Sequence, residues 1–135
     1  MNNYIVDAKL ELIDEMINPI ISSLEEIEAN PKAVYQVNLA LEEILVNIAK
    51  YAYPSNEGKI DISFEISDDK TQLKVVIKDK GKKFNPLEKE DPDLDSSVEE
   101  RKIGGLGIYL VKKMVDDIKY QRINNQNVLE FIKKL

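Results

Sequence analysis

The stretch Leu41-Glu42-Glu43-Ile44-Leu45-Val46-Asn47-Ile48-Ala49-Lys50-Tyr51-Ala52-Tyr53-Pro54 decides the fold of this chain. It closes segment 34–53, the most clearly amphipathic part of the sequence, whose apolar residues recur at helical spacing. Four residues advance an α-helix by about 400°, so Glu43 and Asn47 lie on the same helix face, one turn apart. Lys50 follows one further turn along.

This helix face combines a carboxylate, a neutral oxygen ligand and an ammonium group. Such a set suits a base, a magnesium ligand and a phosphate contact, because Mg²⁺ takes hard oxygen ligands and keeps several waters. The alternative interpretation is a polar helix face that is simply solvated.

A second motif, Asp79-Lys80-Gly81-Lys82-Lys83-Phe84-Asn85-Pro86, directly follows an apolar run that predicts a strand. Gly81 allows the backbone to approach a ligand without a Cβ in the way. An ionised Asp79 only accepts hydrogen bonds, so it can bind the exocyclic amino group of adenine but not the keto oxygen of guanine. The alternative is a turn at a hairpin end, where Asp-x-Gly is common.

The third motif is Gly104-Gly105-Leu106-Gly107, at the start of a predicted helix. Its N–H groups can face phosphate at the helix N-terminus. The alternative is a loop-to-helix junction that needs small residues. Neither common phosphate fingerprint is present: the chain has no G-x-x-x-x-G-K-[ST], and Gly105-x-Gly107 lacks a third glycine at Leu110.

Composition excludes several classes of protein. A length of 135 residues fits one domain, 1–135, and the net charge of −6 disfavours nucleic acid as a direct partner. The chain has neither Cys nor His, which removes thiolate chemistry, disulfides, imidazole bases and a histidine phosphoacceptor. No stretch is apolar enough to span a bilayer or to act as a signal peptide, which predicts a cytoplasmic location and no membrane partner.

The hydrophobic pattern predicts eight elements in the order β-α-α-β-β-α-β-β. Pro19 is expected to kink or restart the first helix. Segment 87–102 is charged and aperiodic, and it predicts a mobile functional loop. A sheet covered by helices is the simplest packing. The elements are expected at 4–8, 10–29, 34–53, 60–66, 73–77, 106–115, 118–123 and 128–132.

Taken together and in this order, the three motifs resemble the GHKL ATP-binding fold (the histidine-kinase-like ATPase domain). Within that fold, the chain resembles the stand-alone serine/threonine kinases that act as bacterial anti-sigma factors. The resemblance runs from about residue 2 to residue 135. It implies an α/β two-layer sandwich with a mixed, mostly antiparallel sheet and helices on one face.

The resemblance also implies roles for individual residues, with ATP and Mg²⁺ as cofactors. Glu43 would be the general base, Asn47 the magnesium ligand and Asp79 the adenine-reading residue. Segment 87–102 would be the ATP lid. The other nucleotide-binding residues that it implies are Lys50, Gly81, Phe84, Arg101, Gly104, Gly105, Leu106 and Gly107.

The chain departs from the family pattern at three positions. Tyr51 stands where the family often has His, and Lys83 stands where it often has a second Gly. Ile103 occupies the position of an Arg that precedes the glycine motif in characterised anti-sigma kinases. The third departure concerns γ-phosphate activation rather than nucleotide binding, and Arg101 or Lys102 is the expected substitute.

The leading functional hypothesis is a kinase that transfers the γ-phosphate of Mg-ATP to a Ser or Thr of a small, anti-anti-sigma-type partner protein. By resemblance it would also bind a sigma factor. One alternative is a non-catalytic switch that binds ATP or ADP and a partner. Another is a histidine-kinase catalytic domain acting on a separate phosphoacceptor, although such domains usually carry Asn where Glu43 stands. The relatives form dimers, and the sequence leaves the oligomeric state open.

Overall fold

A computed structural model describes residues 1–53, 57–88 and 105–135, except for the side chains of 105 and 106. The predicted order of helices and strands is confirmed, and three short helical turns are added at Leu10–Leu12, Ile48–Ala52 and Pro86–Glu88. The main elements are β1 (Asn2–Asp7), α1 (Ile13–Glu26), α2 (Pro31–Asn47), β2 (Lys59–Ile66), β3 (Gln72–Asp79), α3 (Gly105–Met114), β4 (Asp117–Ile123) and β5 (Gln126–Lys134).

The five strands form one sheet in the order β1-β2-β3-β5-β4, and the helices cover one of its faces. All of its pairings are antiparallel, so the parallel part of the expected mixed sheet is absent from the described residues. Helix α3 lies between β3 and β4 in the chain, and β4 runs in the same direction as β3. However, β5 lies between these two strands and pairs antiparallel with both, which keeps them from pairing with each other.

Alternation along the strands places one set of side chains against the helices. Ile60, Ile62 and Phe64 of β2 are buried, and the residues between them are more exposed. The same alternation holds in β3 and β5. The helices contribute the opposite side of a single apolar core, chiefly Met16, Ile20, Leu24, Leu41, Ile44 and Leu45.

The end of α2 is where the helices differ from the sequence expectation. Helix α1 continues through Pro19, so of the two outcomes expected there the restart does not occur. Helix α2 begins at Pro31, where the Asn30 side chain caps it by accepting a hydrogen bond from Lys32 N at 2.8 Å. Its α-geometry ends at Asn47, and Ile48–Ala52 is a wider π-helical turn. Across the described ranges, no helix has the length and apolar character needed to cross a membrane.

Candidate functional site

Helix α2 brings Glu43 and Asn47 together, as the four-residue spacing predicts. Asn47 is only 6% exposed, and its Nδ2 donates a 2.7 Å hydrogen bond to the backbone carbonyl of Glu43. This bond fixes the orientation of the amide, because only the nitrogen can donate to a carbonyl. Asn47 Oδ1 accepts no hydrogen bond from the described residues, so it is available to a metal ion or a ligand.

The Glu43 carboxylate lies directly against Gly107, near the N-terminus of α3. A Cβ built on Gly107 would overlap Oε2 of Glu43 and would lie 2.6 Å from Cδ, well inside van der Waals contact. Glycine at this position therefore makes room for the carboxylate. The glycine-containing motif and the Glu43 motif, separate in sequence, meet at one point.

The other end of α3 is held by a buried lysine on β5. Lys133 Nζ donates to the carbonyl oxygen of Met114, the last residue of α3, at 2.5 Å. It also donates to Gln36 Oε1 on α2 at 2.7 Å. A cation at a helix C-terminus is favoured by the helix dipole. Lys133 thus fixes the position of α3 relative to α2, and with it the position of Gly107 relative to Glu43.

Asp79, at the end of β3, is 3% exposed and faces the helix-covered side of the sheet. Its Oδ1 accepts hydrogen bonds from Gly81 N at 3.0 Å and from Asn127 Nδ2 at 2.9 Å. Burial raises the pKa of Asp79, while these two hydrogen bonds and the charge of Arg122 act in the opposite direction. Oδ2 receives no hydrogen bond within the described part of the chain.

Asn127 is a site residue that the sequence motifs do not predict, since it lies between the strands expected at 118–123 and 128–132. It is buried, and it links Asp79 to the loop that follows β3. Its Nδ2 also donates to Lys82 O at 2.8 Å, and its Oδ1 accepts from Phe84 N at 3.2 Å. One sequence signal could have revealed it: Asn127 continues the inward-facing alternation of Leu129 and Phe131, at the same end of the sheet as Asp79.

Two more residues of the β4–β5 hairpin contact this loop. Tyr120 Oη donates to Asn127 Oδ1 at 2.5 Å, and Arg122 Nη1 donates to Gly81 O at 3.0 Å. The hairpin turns through Asn124 and Asn125, both with positive φ (52° and 62°), as a two-residue type I′ loop requires. Neither Tyr120 nor Arg122 is among the site residues that the sequence motifs predict.

The loop after β3 also packs against the π-helical turn that follows α2. Lys82 N donates to Ala52 O at 2.8 Å, and Lys80 N donates to Tyr53 Oη at 2.7 Å. A Cβ on Gly81 would overlap Ala52 O. Glycine is expected here for close approach to a ligand, and the structure adds a second reason for it, the close approach of the Ala52 backbone.

Two cavities border Asp79. One, of about 10 Å³, is lined by Ile48, which directly follows Asn47, and by Asp79, Phe84 and Asn127 among others. It has room for about one water molecule, so its walls must move apart to admit a purine. The second, of about 420 Å³, is bordered by Asp61 and Lys78 on the opposite face of the sheet. The side chain of Asp79 faces Asn127, which lines the smaller cavity, so the smaller cavity is the candidate site for a base.

The remaining predicted site residues are placed less completely. Lys50 lies exposed on the π-helical turn, so its assumed α-helical spacing from Asn47 was wrong. The ring of Phe84 lies 5.5 Å from that of Tyr51, at the edge of the smaller cavity. Gly105 and Leu106 begin α3. Arg101, Gly104 and residues 89–102 of the expected lid lie outside the described residues, and 87–88 belong to the turn Pro86–Glu88.

The donor set suits magnesium better than a metal that needs several protein ligands. The described residues contain no cluster of three or more Asp, Glu, His or Cys side chains that could hold a metal ion. They do provide Asn47 Oδ1, a hard oxygen without a protein donor, one helical turn from the Glu43 carboxylate. Mg²⁺ is commonly bound by one or two protein oxygens together with waters and substrate phosphates.

Comparison with known proteins places this geometry in context. A profile of the histidine kinase-like ATPase domain matches residues 6–133. The chain is 28% identical over 141 aligned positions to the serine-protein kinase RsbW of Staphylococcus aureus (strain JH9), covering 96% of this chain and 87% of that protein. It is 31% identical over 105 positions to the serine-protein kinase RsbW of Oceanobacillus iheyensis, covering 70% and 60% respectively.

Two solved structures share the fold at low sequence identity. One contains the RsbU and RsbW domains of Rv1364c from Mycobacterium tuberculosis, with a TM-score of 0.68 and 13% identity; the match covers all of this chain and 33% of that longer one. The other is the SiaB-SiaC complex from Pseudomonas aeruginosa, with a TM-score of 0.64 and 14% identity. That match covers 100% of this chain and 90% of the matched chain.

Proposed function

The chain belongs to the histidine kinase-like ATPase domain family, and from this premise we propose that it is an ATP-dependent serine/threonine protein kinase of the anti-sigma-factor type. The proposal extends to its partners: a small protein that carries the acceptor hydroxyl, and a sigma factor. It also includes a homodimer, as the resemblance to this group of kinases implies. The similarity to serine-protein kinases along most of the chain supports the kinase assignment.

One observation carries the proposal: the Glu43 carboxylate lies against Gly107, at the end of α3 where phosphates would bind. A helix N-terminus presents free N–H groups and a positive dipole end to an anion. A general base placed beside that end is within reach of a hydroxyl that attacks a bound phosphate. A helix face that was merely solvated would not need a glycine opposite its carboxylate.

The chemistry follows from the position of each group. Glu43 would accept the proton of the partner's Ser or Thr hydroxyl as that oxygen bonds to the γ-phosphorus. The bond between the γ-phosphorus and the β–γ bridging oxygen breaks, and ADP leaves. Phosphoryl transfer depends mainly on positioning and electrostatics, so one base and a set of phosphate contacts suffice on the protein side.

Recognition of the nucleotide is divided between two ends of the site. Asp79 would accept a hydrogen bond from the adenine amino group. Asn47 would hold Mg²⁺, which neutralises charge on the phosphates when bound. Lys50, Arg101 and the segment Gly104-Gly105-Leu106-Gly107 are assigned to the phosphates, with segment 87–102 as the ATP lid.

Two measurements test this function. Calorimetry should detect Mg-dependent ATP binding to the purified protein. The protein is then used to capture partners from a native cell extract, and Mg-ATP is added to the captured complex. Mass spectrometry should find phosphoserine or phosphothreonine on the partner with wild-type protein, and about 100-fold less or none at the same reaction time with Glu43→Gln. Strong ATP binding without any phosphorylated partner would contradict the kinase assignment.

That contradictory outcome describes the second candidate function, a non-catalytic switch whose nucleotide state controls partner binding. Ile103 favours it, because the Arg that characterised anti-sigma kinases have at this position is missing. One comparison distinguishes the two functions: partner binding is measured with ATP and with ADP, for the wild type and for Glu43→Gln. A switch binds the partner differently with ATP and with ADP, and Glu43→Gln leaves that difference unchanged.

A further inference from the structure

The side chain of Asn127 uses all of its hydrogen-bonding capacity within the protein. Its two N–H groups donate to Asp79 Oδ1 and Lys82 O, and its oxygen accepts from Phe84 N and Tyr120 Oη. The orientation of the amide is determined by these partners, because a backbone N–H can only donate and a backbone carbonyl can only accept. An N–H group of Asn127 therefore faces Asp79.

One oxygen of Asp79 is consequently saturated and the other is not. Oδ1 receives the N–H groups of Asn127 and Gly81, at 2.9 Å and 3.0 Å. Oδ2 has no donor among the residues that the structure describes. A proton that binds this carboxylate must bind Oδ2, which would then donate a hydrogen bond instead of accepting one.

We propose that Asn127 is the specificity-determining positioning residue of the base pocket: by occupying Oδ1, it leaves Oδ2 of Asp79 as a lone acceptor that selects purines with a 6-amino group. The inference rests on the proposed function of ATP binding. A purine with a 6-oxo group presents an acceptor at the same position and is rejected by an ionised carboxylate.

The electrostatics of the pocket show why such a residue is needed. Burial raises the pKa of Asp79, and the hydrogen bond from Asn127 is the largest of the effects that oppose it. Arg122 contributes through its charge, but its hydrogen bond goes to Gly81 O rather than to the carboxylate. Without the hydrogen bond from Asn127, Oδ2 is therefore protonated more easily. A protonated Oδ2 donates a hydrogen bond, whereas the ionised oxygen accepts one.

The test compares ATP with inosine triphosphate, which carries a 6-oxo group, in calorimetric titrations across a range of pH. Wild-type protein should prefer ATP by about 10- to 100-fold, the range expected of one hydrogen bond to a charged group. Asn127→Leu should reduce that preference by about tenfold or more. ATP affinity is lost as pH falls through the pKa of Asp79, so the midpoint of this loss should lie at higher pH in the variant.

Gln121→Leu is the matched control, because it removes an exposed amide from the same hairpin, outside the cavity that Asp79 and Asn127 line. It should keep both the ATP preference and the pH midpoint. If Asn127→Leu instead weakens both nucleotides equally at an unchanged midpoint, Asn127 is only structural and the inference is wrong. Absence of ATP binding by the wild-type protein would overturn the proposed function itself.

A measurement on wild-type protein covers the case in which Asn127→Leu does not fold. The ¹⁵N side-chain amide resonance of Asn127 should shift with pH, and its midpoint should match that of the ATP affinity. A resonance that does not respond to pH while ATP affinity does would overturn the link between Asn127 and Asp79.

Discussion

Gly107→Ala should separate catalysis from stability in this protein. The added Cβ would lie 2.6 Å from Cδ of Glu43, whereas carbon atoms in contact lie about 3.5–4.0 Å apart. The carboxylate must therefore move by about 1 Å, given that contact distance. A displacement of this size at a reacting group can lower a rate by about 100-fold.

The folded state should tolerate the same change. The atoms in the way are the end of a flexible Glu43 side chain rather than backbone, so they can give way at little cost. Alanine within a helix is favoured over glycine by about 0.5–1 kcal/mol. Denaturant unfolding should therefore show a free energy of unfolding equal to or slightly above that of the wild type.

The assay is the rate of phosphate transfer to the captured partner, measured beside calorimetric ATP affinity. A second substitution identifies the cause: Glu43→Asp shortens the carboxylate side chain by one methylene and vacates the space next to residue 107. We expect Gly107→Ala to slow transfer about 100-fold in the wild-type background and much less in the Glu43→Asp background. Transfer at the wild-type rate by a folded Gly107→Ala protein would refute the assignment of Glu43 as a closely positioned base.

Further predictions concern the two ends of the site. Asp79→Asn should lower ATP affinity by about 1–3 kcal/mol and narrow its advantage over GTP in calorimetry; equal affinity of the wild type for both nucleotides would contradict the adenine assignment. Because burial raises the pKa of Asp79 in the folded state, its ionisation lowers stability above that pKa, and this loss disappears as pH falls from the folded-state pKa to the lower pKa of the unfolded state. Unfolding experiments should thus find the stability of wild type relative to Asp79→Asn increasing as pH falls. Glu43→Gln should keep ATP affinity while losing transfer by about 100-fold or more, and the exposed neighbour Glu42→Gln should lose neither. Asn47→Ala should abolish the magnesium dependence of ATP binding, and a variant that still requires Mg²⁺ would place the metal ligand elsewhere.

The sequence by itself determined the elements and the local geometry of each motif. Alternation in β2 and helical spacing in α2 are set by which side chains can be buried together, so they can be read from a few neighbouring residues. The joint position of Glu43 and Asn47 follows in the same way from the pitch of one helix. The spacing of Lys50 from Asn47 was nevertheless predicted wrongly, because the change from α-helix to a π-helical turn after Asn47 has no clear signature in residue types.

Only the tertiary structure decided which distant residues complete the site. Asn127 reaches Asp79 across 48 residues, and this contact exists because β5, rather than β4, lies beside β3. Gly107 meets Glu43 because α3 packs against α2, and Lys133 supports this packing at the far end of α3. Gly81 is required by the backbone at Ala52, a contact that the motif itself does not predict. Contacts of this kind depend on how sheet and helices pack against one another, and the periodicity of a segment records which side is buried but not which partner it meets.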